Sequence, residues 1–415
     1  MIKREASRGN HFLNYLITYF AIAFSGIPFF DENRVARLVF LSILILVFFL
    51  KKKTFDGKII LLALAFLIIE IIQISLWGGS LFSIITSISF LIILPYLILK
   101  ITGIKFIQCF VNILFIYALI SLFFWTASNF FPGFHDFTYY LAEVLKPYTP
   151  HSITESFILY TYESSQELGL YRNPGPFHEP GAFGVFLVLA IVINFIRTKS
   201  FTDKKNIVFF IAAITTFSTA TYLSLIVLLI LTNLFLVGKR KAIVIFLLPV
   251  LIYFSFTAYN NLDFMGNKIS QQYEEQADVS LTTPTSGRIL GARKALVAIS
   301  NYPLFGRGLI AKTQVDYTAT DAAGYGWITW ISKIGLPLGV LYMFYFYKAL
   351  YGYTLTYGRD KKFAMIAFIS LLIVLAGQKH ISSLIFFMIF LIAYTYKSSI
   401  VKNYYNHGLS NAHVE

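Results

Sequence analysis

The chain has 415 residues, 57% hydrophobic and only 13% charged, and its 34 Lys and Arg against 20 Asp and Glu give a formal net charge of +14. Soluble domains carry roughly 25% charged residues, so the composition excludes an ordinary water-soluble fold and points to an all-α polytopic membrane protein, one integral membrane domain over 1–415. The positive charge follows membrane topology, as the loops below show, and gives no reason to invoke nucleic acid.

Apolar runs near the ~20 residues that cross hydrocarbon as a helix recur along the chain. About twelve transmembrane helices are read, at 11–30, 35–50, 58–77, 81–99, 104–131, 181–196, 205–219, 221–237, 242–259, 326–347, 363–378 and 381–396. The first follows a basic N-terminus, runs about 20 residues and has no small-residue cleavage site after it, so it reads as a retained helix and not a signal peptide. The single Cys109 lies in the fifth and permits no disulfide within the chain. Lys and Arg concentrate in alternate loops, with 22 of the 34 on the side that holds Lys51 to Lys53, Lys204, Lys205 and Lys361. Positively charged loops stay in the cytoplasm, which places the opposite face outside. Glu70 lies deep in the third run, where an ionisable residue is a functional candidate by default. With Gln73 one turn on, it equally suits a bond to a neighbouring helix.

Two long outer-face loops break the rhythm, 132–180 and 260–325, and each is expected to contain short helices. Loops of this length are uncommon unless functional or disordered. The first ends in "GLYRNPGPFHEPGAFG", Gly169 to Gly184. Its prolines forbid regular helix, and Pro180 is placed to start the sixth span. Arg172, His178 and Glu179 therefore sit on irregular backbone above a helix N-terminus, where N–H groups and the helix dipole favour an anion. The second contains "TPTSGRILGARKALVAISNYPLFGRGL". A helix is expected from near Gly287 to Pro303, with Ile289, Ala292, Leu296 and Ile299 on one face. Arg288 and Arg293 are five residues apart, about 140° around it, so they cannot both face one ligand without distortion.

"YRNPGPFHEPGAFG" ahead of a membrane helix, "TTFSTATYLSL" across a hairpin, and "SGR" leading to "ISNYPLFGRGL" and then a helix starting at "GLPLG" resemble the O-antigen polymerase and ligase superfamily, closest to the polymerase type called Wzy. The resemblance spans roughly Gly169 to Gly339. It implies glycosyl transfer at the outer face of the cytoplasmic membrane, using donor and acceptor glycans linked to undecaprenyl pyrophosphate and no metal or other cofactor. It also implies outer-loop arginines near the pyrophosphate and a separate chain-length regulator as partner. Ligases of the superfamily place a histidine about ten residues before the glycine that starts the later helix. Here Tyr325 is nearest that place, which weakens the ligase reading. A lipid-linked oligosaccharide flippase or other transporter is the competing class, but no matching halves with interrupted helices are found.

The residues suit such chemistry. A pyrophosphate leaving group is already a stable anion and needs cations rather than a strong acid, and arginine matches phosphate oxygens in bidentate fashion. Arg172 and Arg288 are the expected pyrophosphate ligands; otherwise Arg172 braces the loop against Glu163 or Glu167, and Arg288 is an exposed helix-start residue. Glu179, with His178, is the expected base toward the acceptor hydroxyl; otherwise Glu179 stabilises the helix dipole and His178 is merely hydrogen-bonded. Arg293 and Arg307 are further substrate candidates, against a snorkelling flank shared with Lys294 and a solvated turn. So are Tyr325, against an interfacial belt residue, and Lys379 with His380, against a plain charged turn.

Overall fold

The structure, a computed structural model, describes residues 2–31, 33–103, 105–144, 156–162, 166–167, 169–235, 249, 253, 288–308 and 326–395. These residues form a mainly helical membrane-type bundle. Four helical stretches are long and apolar enough to cross a bilayer, Gly57–Trp77, Leu81–Thr102, Lys105–Phe130 and Pro180–Thr198, and shorter apolar helices accompany them. The expected span at 242–259 lies outside the described residues except for Pro249 and Tyr253.

Helix α1 (Ile2–Ala23) leads into a one-turn α2 (Pro28–Asp31), so the single run expected at 11–30 is instead a helix that breaks at Phe24. Pro28 starts α2, where its missing N–H costs nothing. Helix α3 (Arg34–Leu50) is capped by Asn33, whose side chain accepts from the Ala36 N–H. Helix α4 (Gly57–Trp77) returns to the end of the bundle where α2 lies.

The next span has three parts: α5 (Leu81–Ile88), a π-helical turn (Ser89–Ile93) and α6 (Leu94–Thr102). Pro95 explains the turn. Its ring would meet the carbonyl four residues back in an uninterrupted α-helix, and the wider turn relieves that clash. Helix α7 (Lys105–Phe130) follows, then α8 (Pro132–Val144) at the start of the first long loop. That loop also holds two hairpins absent from the sequence reading, β1 (Ser156–Phe157) with β2 (Tyr160–Thr161), and β3 (Gln166–Glu167) with β4 (Leu170–Tyr171).

Helix α9 (Pro180–Thr198) is the centre of the bundle, buried at every residue from Pro180 to Ile196. Helices α7 and α10 (Lys204–Thr215) pack on it, and α11 (Thr219–Phe235) lies against α9 and a later helix, α15 (Lys362–Ala376). At the basic end, the α9 carbonyls of Phe195 and Ile196 accept from Arg359 at 2.7 and 3.2 Å, so a cation closes the negative end of the central helix.

From the second loop, α12 (Arg288–Asn301) is described. Its buried residues are Gly291, Lys294 and Ala295, while Leu296 is 56% exposed. Of the residues expected on one side of this helix, Ala292 and Ile299 are partly buried and Leu296 is exposed. The helix packs on α13 (Gly326–Ile334), with Gly291, Lys294 and Ala295 buried and Leu296 and Val297 exposed. The run expected at 326–347 is broken at Gly335 into α13 and α14 (Leu336–Thr356). A 3₁₀ turn (Lys379–Ser382) joins α15 to α16 (Leu384–Thr395), which packs on α14 and α6.

Candidate functional site

The stretch from Arg172 to Glu179 is a plug, buried from Asn173 to Phe177, with a candidate side chain at each end. Asn173 is wholly buried and fully used: its Nδ2 donates to Thr215 Oγ1 at 2.8 Å and Ser121 Oγ at 3.3 Å, and its Oδ1 accepts from the Gly175 N–H at 3.0 Å. The last bond folds the chain into an Asx turn, which continues through Gly175 at φ +55°. A Cβ on Gly175 would lie 2.9 Å from the Phe183 ring. Phe177 then enters the core and stacks on Phe186 with ring centroids 4.4 Å apart. The motif is thus mainly an anchor, and it fixes where the flanking residues emerge.

At one end, Arg172 points Nε toward the Thr216 carbonyl and Nη2 toward the Phe217 carbonyl, both at 3.4 Å. These carbonyls follow α10, so the guanidinium stands at a helix C-terminus, where a cation is favoured. At the other end, His178 donates its backbone N–H to the Gly26 carbonyl at 3.2 Å, tying the motif to the α1–α2 turn. Glu179 is the N-cap residue of α9; its carboxylate is exposed and makes no capping hydrogen bond.

His178 has a partner that the sequence reading missed. Its Nε2 lies 3.5 Å from Asp31 Oδ2, and the other oxygen of Asp31 is paired with Arg37 Nη2. Arg37 also donates to the backbone carbonyls of Asp31 and Phe24, with Cζ 5.9 Å from both the Phe24 and Phe90 rings. Burial raises the Asp31 carboxyl, but the hydrogen bond with His178 and the charge of Arg37 outweigh it and hold the group below its ordinary range. The clue lay in "FFDENRVAR", an Asp and an Arg six apart at a span boundary; their pairing with His178 crosses some 140 residues of sequence and left no local pattern.

His380 completes the group. It is 5% exposed, and its Nε2 would lie 3.0 Å from a Cβ placed on Gly26. Burial pushes its imidazole down to about 4, with the Lys379 charge acting the same way and Asp31 opposing. Asp31, Arg37, Lys379 and His380 line a cavity of about 210 Å³, whose other walls include Phe24, Phe90 and Leu384. Lys379 itself is exposed. The structure therefore brings His178 and His380 to one group around Asp31.

The second-loop candidates stand differently. Arg288 is the first residue of α12, and its side chain lies outside the described residues. Arg293 is exposed, Lys294 is buried in protein rather than snorkelling, and Tyr325 lies outside the described residues. Arg307 is 5% exposed and so is not a solvated turn residue. Its backbone N–H donates to the Ser332 carbonyl at 2.8 Å, and that of Gly308 to Lys333 at 3.2 Å. Leu336 donates in turn to Pro303 at 2.8 Å, so the "PLFGRG" turn and the α13–α14 break are laced together. Gln73 of α4 joins the same crossing, donating to the carbonyls of Phe305 at 2.5 Å and Lys333 at 3.1 Å. Glu70, one turn away, accepts from Ser87 of α5 at 2.5 Å. Among the described residues, no group of three His, Cys, Asp or Glu side chains converges as metal ligands would.

Residues 205–343 match the family model Wzy_C, described as O-Antigen ligase. The match supports the O-antigen polymerase/ligase superfamily. The match covers 139 of the 415 residues and is a likeness over that segment. The Wzy_C segment runs from α10 into α14 and includes the "PLFGRG" crossing; the Asp31, Arg37, His178 and His380 group lies outside it in sequence and is joined to it by packing. No curated protein and no solved structure matches the chain.

Proposed function

We propose that the chain is a polymerase of lipid-linked repeat units for O-antigen or capsule-like polysaccharide, acting at the periplasmic face of the bacterial inner membrane. The growing glycan on undecaprenyl pyrophosphate is passed to the sugar hydroxyl of a newly arrived lipid-linked repeat unit. Arg172 and Arg288 bind the pyrophosphate, with Arg293, Arg307, Tyr325, Lys379 and His380 as further substrate contacts. The Glu179–His178 pair receives the hydroxyl proton. A chain-length regulator is the separate partner in this scheme.

One observation carries the reading. Glu179 and His178 stand side by side at the head of the central helix, held by the buried Asn173–Phe177 anchor, and the Glu179 carboxylate is exposed with no capping bond. A carboxylate retained only to cap α9 would be bonded to its first-turn N–H groups.

The description of the matched family as O-Antigen ligase favours a second reading, transfer of the glycan to lipid A core. Purified protein incubated with an undecaprenyl pyrophosphate repeat unit, without lipid A core, separates the two by mass spectrometry of the lipid-linked products. A ladder of two, three and more repeats is expected of the polymerase. An unchanged single repeat, with lipid A core glycosylated once it is added, would replace that reading with the ligase; no product in either case would favour the transporter.

A further inference from the structure

We propose that Asp31 is the positioning residue of His178, clamped by Arg37, so that His178 Nδ1 is the atom that takes the acceptor hydroxyl's proton. This rests on the glycosyl-transfer reading above and deepens it by naming the atom and the pair behind it.

The geometry fixes each part of the pair from two directions. Asp31 ends α2, and Arg37, one turn into α3, grips both its Oδ1 and its backbone carbonyl while also reaching Phe24. The two aromatic rings at 5.9 Å leave the guanidinium little room to turn. The free oxygen, Oδ2, faces His178 Nε2 at 3.5 Å, and the backbone of His178 is bonded to Gly26 in the same turn. A carboxylate facing Nε2 keeps the proton there and leaves the lone pair on Nδ1. Among the described residues no hydrogen bond is seen at Nδ1, and the His178 side chain is 21% exposed. A pair built only to brace the α2–α3 turn needs Arg37 and Asp31 but no imidazole.

Among the described residues, the charged and titratable groups around the pair are Arg37 from α3, Lys379 and His380 from the 3₁₀ turn, and Glu179 on His178's own segment. His380, buried and held near 4, is uncharged at neutral pH and adds no positive charge against an imidazolium at His178. In the reaction, His178 Nδ1 accepts the hydroxyl proton while the oxygen bonds to the anomeric carbon. The bond from that carbon to the pyrophosphate oxygen breaks, its electron pair leaving with the pyrophosphate, and the imidazolium then releases its proton to water.

The test uses the full-length protein in lipid nanodiscs with two readouts, for the parent, Asp31→Asn and Asp31→Glu. The first is the rate of His178 carbethoxylation by diethyl pyrocarbonate, followed by peptide mapping. The second is the rate of ladder formation. The ladder rate is expected to fall about 10-fold or more in Asp31→Asn, with partial recovery in Asp31→Glu, and the His178 modification rate is expected to change in the same order. A parental ladder rate in Asp31→Asn, or a slow enzyme that Asp31→Glu does not restore at all, overturns the proposal. Should Asp31→Asn not fold, His178→Gln is read in its place, and a parental ladder rate there overturns it too. If the parent forms no ladder, the base role falls with the glycosyl-transfer reading.

Discussion

Gly306 and Gly335 cross with their backbones in contact: a Cβ on Gly306 would lie 2.6 Å from the Gly335 nitrogen, and one on Gly335 would lie 3.0 Å from the Gly306 nitrogen. Both have positive φ, +67° and +84°. Gly306→Ala therefore meets left-handed strain and a backbone clash at once. Strain of this kind alone costs about 1–3 kcal/mol. The variant is expected to lose at least that stability, read as a lowered thermal midpoint in detergent, while Gly352→Ala, which meets nothing within 4 Å, changes little.

Asn173→Ala strips a buried anchor of three hydrogen bonds and leaves the Gly175 N–H and the Thr215 hydroxyl without this partner. Each buried group left unsatisfied costs roughly 1–3 kcal/mol. The expected outcome is a thermal midpoint lowered by more than that of Glu179→Ala, whose exposed side chain makes no capping bond. Equal shifts would refute the anchoring role.

His380 sets a pH dependence of stability. Its imidazole is ordinarily near 6.5 and is lowered to about 4 in the folded chain. Between those values the unfolded chain binds the proton and the folded chain does not, so stability is complete above about 6.5 and falls as pH drops toward 4. The loss across that window amounts to roughly 3 kcal/mol. Thermal midpoints measured from pH 7.5 to 4 should decline in the parent and decline less in His380→Gln; parallel curves would remove His380 as the cause.

Arg172 lies against the carbonyls after α10, which gives a structural reason for a cation there as well as the proposed pyrophosphate role. Arg172→Lys keeps the charge but loses the fork that matches phosphate. At parental membrane levels and thermal midpoint, Arg172→Lys and Arg288→Lys are both expected to lower ladder formation at least about 10-fold, or roughly 1.4 kcal/mol. Parental rates in both would discard the arginine clamp.

Apolar runs and the spacing of Lys and Arg placed most helices, because burial in lipid writes itself as length and charge asymmetry in the sequence. The breaks were not legible. Gly335 and the Pro95 turn interrupt runs whose hydropathy is continuous, and the cause lies in backbone sterics that hydropathy ignores. The face that α12 buries was not legible either, because Gly291 and Ala295 bury by close approach while Leu296 faces outward, the reverse of the rule for helices in water. In the site, "RNPGPFHEPG" was visible as an unusual cluster, and His178 and Glu179 do flank the head of α9. Asp31 and Arg37 were not singled out, since only the folded chain brings them to His178.

The π-helical turn carries a consequence for how one span is specified. Above it, α5 exposes Leu81, Phe82 and Ile85; below it, α6 is buried from Leu94 to Leu99. One span thus has bilayer for its neighbour along half its length and protein along the other. Deleting one residue from the turn would rotate the halves by about 100° relative to each other, carrying Phe90 off Arg37 and opening the cavity wall. Mean hydropathy would hardly change, and lipid would not correct the error, because it solvates either face of α5 equally well. The phase of this helix is held by Pro95 and by the Tyr96 hydroxyl, which accepts from the Asp56 N–H at 2.8 Å: two neighbouring residues act as the vernier that keeps the cavity wall in line with its arginine.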